Sequence, residues 1–210
     1  SSSDVGTLIR VQVSYIDGHD TSEGPLTSTQ TTPVTDVTEG GTKFFVVDQS
    51  RRGTYEYDAN GNALDGNRLN KEDEQPRGIA SSPDGSTLWV VDAKGEVFVY
   101  DNNNRLLGNW EIEDVDKPEG ITVHGDDLWI VDRGEDRVYF FRDGALRRRG
   151  DAEPTSSFRL DRSNKNPMDL VTEGNHIWVV NATSSVDRVF RYSMTGGLEG
   201  SWQIDVANSE

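Results

Sequence analysis

Apolar and polar positions recur in one order four times along the chain. A Pro opens a short mixed stretch, a polar loop follows, and then comes a run apolar at successive positions that ends in Asp or Asn. The clearest unit reads Pro118-Glu119-Gly120-Ile121-Thr122-Val123, then Leu128-Trp129-Ile130-Val131-Asp132. Pro76-Arg77-Gly78-Ile79-Ala80 leads in the same way to Leu88-Trp89-Val90-Val91-Asp92, and Pro167-Met168-Asp169-Leu170-Val171 leads to Ile177-Trp178-Val179-Val180-Asn181. A weaker copy has Pro33, then Val37-Thr38-Glu39-Gly40 and Phe44-Phe45-Val46-Val47-Asp48. Each unit continues with an aromatic stretch (54–57, 97–100, 138–141 or 189–192) and closes on one that carries Leu69, Trp110, Phe158 or Trp202. Short runs of this kind, bounded by Gly, Asn, Asp or Pro, read as strands, four to a unit.

The four prolines stand 43, 42 and 49 residues apart. A period of roughly 40–50 residues with four antiparallel strands per unit is that of a propeller blade. The second strand of each unit is apolar on both faces, so both must be covered, and blades stacked on either side do that. The expected fold is all-β: four four-stranded blades of a β-propeller, at 33–75, 76–117, 118–166 and 167–206, with a short tail at 207–210. Residues 1–32 lack the repeat. Ile9, Val11, Val13 and Tyr15 alternate with polar residues, Asp17-Gly18 makes a turn, and 27–32 reads as a second, Thr-rich strand. Because a two-stranded hairpin is marginal alone, its remaining strands are expected upstream in a longer parent chain.

The Pro-x-Gly-Ile start, the Leu/Ile-Trp-Val/Ile-Val-Asp strand and the Asp-Arg-Val-Tyr/Phe strand at Asp136 and Asp187 resemble NHL-type propeller repeats. They resemble in particular the Trp-rich variant found in long secreted or surface proteins of bacteria beside Ig-like and cadherin-like modules. The leading hairpin is similar to the end of such an Ig-like or cadherin-like sandwich. This resemblance implies an extracellular or cell-surface setting with flanking modules of the same parent chain as neighbours. Four blades either close on themselves or form part of a larger ring with two exposed edges, and the resemblance favours the incomplete ring, since NHL-type propellers commonly have six blades. Departures from the pattern are Asp169 where Gly is expected, Asn181 for Asp, and the start at Thr35-Asp36.

Composition narrows the partners. Five Trp, six Tyr and seven Phe in a chain only 33% hydrophobic fit a turn-rich β fold better than disorder. Lys plus Arg total 21 against 37 Asp plus Glu, a net charge of −16 that repels nucleic acid and anionic membrane alike. No apolar run approaches the ~20 residues that membrane insertion requires. Without Cys there is neither a disulfide nor a thiolate site.

Candidate chemistry is sparse. Asp48, Asp92, Asp132 and Asn181, one per unit, read as caps of their own turns rather than a metal ring. Asn60-Gly61 and Asn102-Asn103 read as hairpin turns that need positive φ. Asp58-Ala59-Asn60-Gly61-Asn62 starts like a calcium loop but has Ala63 at the sixth position and Leu69 at the twelfth, so it too reads as a hairpin. His19, His124 and His176 form no ligand pair and read as solvated loop residues. Arg147-Arg148-Arg149 reads as a solvated hairpin with local ion pairs.

A propeller ligand sits where the first strands of the blades converge, so the residues after each Pro are the candidate site: Arg77 for an anionic group, Glu119 and Asp169 for a divalent ion. Asp17 and Asp20 are weak calcium candidates, and calcium is the one cofactor in view. The expected function is a non-catalytic structural, adhesion or ligand-recognition module with a protein or carbohydrate partner. The alternative is a metal-dependent propeller hydrolase or lyase, of the gluconolactonase or streptogramin-lyase kind, with its site in the central funnel.

Overall fold

The computed structural model describes residues 43–183 and 186–204, and the two strands at 12–16 and 22–27. The chain divides into two compact units, Ser1–Gly41 and Thr42–Glu210. In the first, β1 (Gln12–Ile16) and β2 (Ser22–Thr27) pair antiparallel, with Gln12 opposite Thr27 and Ile16 opposite Ser22. The second strand therefore ends where the Thr-rich stretch was expected to begin one. Local pairing across a short connection costs less chain entropy than reaching for a more distant segment.

The second unit is built as the repeat requires. Its blades are β3 (Phe44–Asp48), β4 (Gly53–Tyr57) and β5 (Ala63–Arg68); β6 (Pro76–Ser81), β7 (Thr87–Asp92), β8 (Glu96–Asp101) and β9 (Leu106–Ile112); β10 (Pro118–His124), β11 (Asp127–Asp132), β12 (Arg137–Phe141) and β14 (Ser156–Arg159); and β15 (Pro167–Thr172), β16 (His176–Asn181), β17 (Arg188–Ser193) and β18 (Leu198–Gln203). Each is an antiparallel meander in chain order, and β13 (Asp151–Ala152) adds to the second blade. The first strand expected after Pro33 lies outside the described residues. Leu69 falls just past β5 rather than on it.

Alternation along the second strands shows how the blades stack. Leu88 and Val90 pack with Phe45 and Val47 of the first blade. Trp89 and Val91 turn the other way, into a cluster with Ile121, Leu128, Ile130 and Phe141 of the third. Trp129 and Val131 in turn meet Leu170, Ile177 and Val179 of the fourth. Strand side chains point alternately to opposite faces, so each second strand glues two neighbours together. Val90, Val91, Ile130 and Val131 are fully buried as a result. By the same parity Phe44 and Val46 on the first blade, and Val171, Trp178 and Val180 on the last, face outward. Phe44 is 53% exposed and Val171 57%, and Trp202 on the last blade is also open. This is a four-bladed propeller arrangement whose two end flanks are uncovered by any described residue of the same unit.

The first strands converge. A Cβ on Gly78 would lie 2.8 Å from the Glu119 carbonyl oxygen and from Gly120 Cα, and one on Gly120 would lie 2.6 Å from Asp169 Cα. Real Cβ contacts are never this close, so Pro-x-Gly is the sequence signature of three inner strands touching backbone to backbone. At the corresponding position of the last blade stands Asp169. No described strand of this unit packs beyond it, and a side chain is tolerated.

The basic run departs from expectation. Gly144–Leu146 forms a 3-10 turn, and the chain then crosses to the second blade, where β13 runs parallel to β9 with Ala152 opposite Ile112. Arg148 donates to the carbonyl oxygens of Ala145 and Arg147, both at 2.7 Å, and its own carbonyl presses on Gly108. Among the described residues these three arginines make no ion pair. The segment is a strap between blades, and its extra length is why the third unit spans 49 residues.

Candidate functional site

The repeated acid at the end of the second strand does more than cap its own turn. Asp92 is fully buried; one of its carboxylate oxygens accepts from Lys94 N–H at 2.6 Å and the other from Gln75 N–H at 2.7 Å. Asp132 repeats this with Glu135 N–H at 2.7 Å and Lys117 N–H at 2.6 Å. Each acid therefore ties the turn after the second strand to the residue just before the blade's opening Pro. At Asn181 the partner on that side is an acceptor, the Lys165 carbonyl, which the amide Nδ2 reaches at 3.3 Å, while Arg188 N–H donates to its Oδ1. Asn166, at φ +69°, is the left-handed residue beside that carbonyl, and only an amide serves both ends. Asp48 stays on its own turn: Ser50 Oγ and Arg51 bind it and hold its carboxyl far below the usual range.

These staples fix a mouth where the inner strands begin. Arg77 follows Pro76, Glu119 follows Pro118, and Gln49 and Arg133 each follow a second-strand acid. Glu119 is only 6% exposed. Its Oε1 lies 3.1 Å from Arg133 Nη2 and its Oε2 lies 3.9 Å from Arg77 Nη1. Arg77 Nη1 also donates to Gln49 Oε1 at 3.3 Å, while its Nε–H is buried and has no acceptor. Three blades thus contribute to one charged cluster. Of the three residues expected to form the site, Arg77 and Glu119 are brought together. Asp169 lies against Gly120, next in sequence to Glu119, but shares no ion pair with either; its Oδ1 accepts from Leu170 N–H at 2.8 Å. Asp169 is exposed, but the backbone packed around it takes some hydration from its carboxyl and pushes it up to about 6. A Glu119 carboxylate held by two guanidiniums is a poor ligand for a divalent ion, because binding one requires giving up an arginine. Arg133 and Gln49 are additions to the expected set. The signal for them is their place in the register, one residue past the second-strand acid.

The remaining candidates resolve locally. Asp58 accepts from Asn60 N–H, Asn62 N–H and Asn62 Nδ2 at 2.8–2.9 Å, and Gly61 has φ +80°, so the calcium-like sequence is a hairpin. In the next blade the positive φ falls on Asn104 rather than on Asn102 or Asn103. His124 is exposed, with its ring against Gly174. His176 is not a lone solvated side chain: its Nδ1 lies 2.8 Å from Glu173 and its Nε2 3.4 Å from Glu199, because β16 begins beside both. Among the described residues no three His, Cys, Asp or Glu side chains gather as a metal would require. Asp17, Asp20 and His19 lie outside the described residues.

One further polar pair is buried. Tyr100, at the end of the third strand of its blade, donates to Asp73 Oδ2 at 3.1 Å, and Asp73 is fully buried with Oδ1 unpartnered. Burial foremost, with the charges of Asp92 and Glu96, pushes the Asp73 carboxyl up to about 7 against the pull of the tyrosine. The last blade repeats the pair with an amide, Asn164 Nδ2 donating to Tyr192 at 3.1 Å. In the blade between them the two positions are Val115 and Phe141, which share one apolar cluster. Polar meets polar and apolar meets apolar at the same two places of the repeat.

No family model matches the sequence, and no curated protein sequence matches it. Solved structures do. A chain of a nidogen/laminin complex superposes at TM-score 0.51 with 16% identity, over 77% of this chain and 59% of that one. A catalytically inactive virginiamycin B lyase from Staphylococcus aureus, solved with quinupristin, gives 0.51 at 11% identity, over 95% of this chain and 75% of that one. The Neurospora crassa Pan2 WD40 domain gives 0.50 at 12% identity, over 77% and 51% respectively. The chain thus spans little more than half the length of the first and last of these. At such identities the likeness is one of fold, and it is to β-propellers.

Proposed function

We propose that this chain is a non-catalytic recognition module, a rigid propeller that presents its mouth to a protein or carbohydrate ligand in an extracellular or cell-surface setting. The observation that carries the reading is the Arg77–Glu119–Arg133 cluster. The buried Glu119 carboxylate of the mouth is committed to two guanidiniums, an arrangement suited to holding shape and charge rather than to moving a proton or a metal. Support for the setting comes from the NHL-like repeat and the sandwich-like hairpin that precedes it. Propellers serve both binding and catalysis, so the site has to carry the argument.

A second reading rests on Asp169. A carboxyl raised to about 6 and free of any cation is what a general base in a hydrolase or lyase needs. Calcium titration with a thermal-shift readout separates the two, since an ion bound only to the native state raises the melting temperature. A recognition module gives no shift, or one unchanged by Glu119→Ala and Asp169→Ala. Saturable stabilisation lost in both variants overturns the first reading in favour of the enzyme. Stabilisation lost instead in Asp17→Ala and Asp20→Ala assigns calcium to the hairpin and leaves the mouth a recognition site. Retention on glycan and protein arrays, compared between the native chain and Arg77→Gln, tests recognition itself; identical profiles for the two reject the mouth as its seat.

A further inference from the structure

Three charged groups stand on successive inner strands, and only the middle one is satisfied. Glu119 has a guanidinium at each oxygen. Arg77 spends Nη1 on Gln49 and Glu119, leaves Nε–H buried without an acceptor, and among the described residues makes no bond through Nη2. Asp169 uses one oxygen on the Leu170 N–H of its own strand and has no cation near the other. Gly78 and Gly120 bring the three strands into backbone contact, so Arg77, Glu119 and Asp169 stand on neighbouring inner strands with Glu119 in the middle.

A simple anion would suit Arg77 but adds negative charge beside Glu119 and Asp169. A simple cation would suit Asp169 but meets Arg77 and Arg133. We propose that the mouth takes a small zwitterion, with its carboxylate on the exposed nitrogens of Arg77 and its ammonium on Asp169; this rests on the reading of the mouth as a recognition site. The Arg77 side chain is 31% exposed, and its outer nitrogens offer a carboxylate charge-assisted N–H donors. An ammonium at Asp169 meets an exposed carboxylate that pairs with no cation among the described residues.

The test follows the ¹H–¹⁵N resonance of the Arg77 Nε–H in the full chain, assigned by its loss in Arg77→Lys. The probes are the ω-amino acids from glycine to 6-aminohexanoate, with acetate and ethylammonium as single-charge controls. One length in the series is expected to shift the resonance saturably, at least tenfold tighter than acetate. Asp169→Asn, which keeps the size and the bond to Leu170, is expected to reduce that probe to the level of acetate. Acetate binding as tightly as every amino acid, or an Asp169→Asn variant that binds like the native chain, overturns the zwitterion and leaves the mouth a recognition site. A resonance that no probe moves overturns the proposal too, and the array comparison with Arg77→Gln then decides separately whether the mouth recognises anything.

Discussion

Replacing Asp73 by Asn should stabilise the protein, and only above a definite pH. The native carboxyl titrates near 7, against 3.8 for the same group in an unstructured chain, because it is buried with one oxygen unpartnered. Between those limits the folded state keeps a proton that the unfolded state has released, so unfolding loses a proton and stability falls as pH rises. The contribution of the neutral acid is fully present below about pH 4 and is lost by about pH 7. The gap between the two titration points corresponds to about 4 kcal/mol, and loop relaxation with water entry lowers the expected effect to about 2–4 kcal/mol. An amide carries no such penalty, and the last blade already uses one, Asn164, against Tyr192. Urea unfolding of Asp73→Asn and the native chain, followed by tryptophan fluorescence from pH 4 to 8, is the assay. Other carboxylates titrate equally in both proteins and cancel in the difference. The variant should match the native chain at pH 4 and exceed it by about 2–4 kcal/mol at pH 8. A pH-independent difference, or a variant less stable at pH 8, would refute the reasoning.

Three more outcomes follow from the same structure. Gly120→Ala puts a methyl group 2.6 Å from Asp169 Cα, so the inner strands must part, and chemical unfolding should register a loss of about 1–3 kcal/mol or more. Asp132→Ala strands two backbone N–H groups, those of Lys117 and Glu135, and should lower stability by about 2–5 kcal/mol, whereas Asp58→Ala on its exposed hairpin should leave the melting temperature unchanged. Val46→Lys on the open flank should change stability by less than about 0.5 kcal/mol, while Val90→Lys, at the equivalent position inside the stack, should cost more than about 3 kcal/mol; similar losses for the two would mean that the first blade is covered.

The blades are legible because a period of two inside a period near forty leaves few alternatives. Leu88 to Asp92 is apolar at nearly every step, and only a strand between two sheets buries both faces. The glycines are legible as a motif but not as a contact, since Pro-x-Gly does not say which backbone approaches Gly78. The acids at the strand ends read as local caps because Asp92 and Lys94 are close in sequence, while Gln75, its other partner, is brought near only by the meander. The strap is hidden for a similar reason: parallel pairing of Ala152 with Ile112 joins two different blades, and the short Asp151–Ala152 segment has no strand-like pattern of its own. Register alone makes Arg77 and Glu119 neighbours. Arg133 escapes the same reasoning because it follows a strand whose residues belong to the core. The Tyr100–Asp73 pair is written in the sequence too, in the matched exchange of Tyr100, Phe141 and Tyr192 with Asp73, Val115 and Asn164, and it becomes visible once the third strand is aligned with the linker that leads into its own blade.

That backbone convergence of the inner strands around one axis is tested most directly by nuclear Overhauser contacts between α protons. Gly78 should show a strong cross-peak to Gly120, and Gly120 to Asp169, while Trp178 shows none to Phe44. If the two glycine contacts are missing, or if Trp178 and Phe44 touch, the blades are not arranged as an open stack.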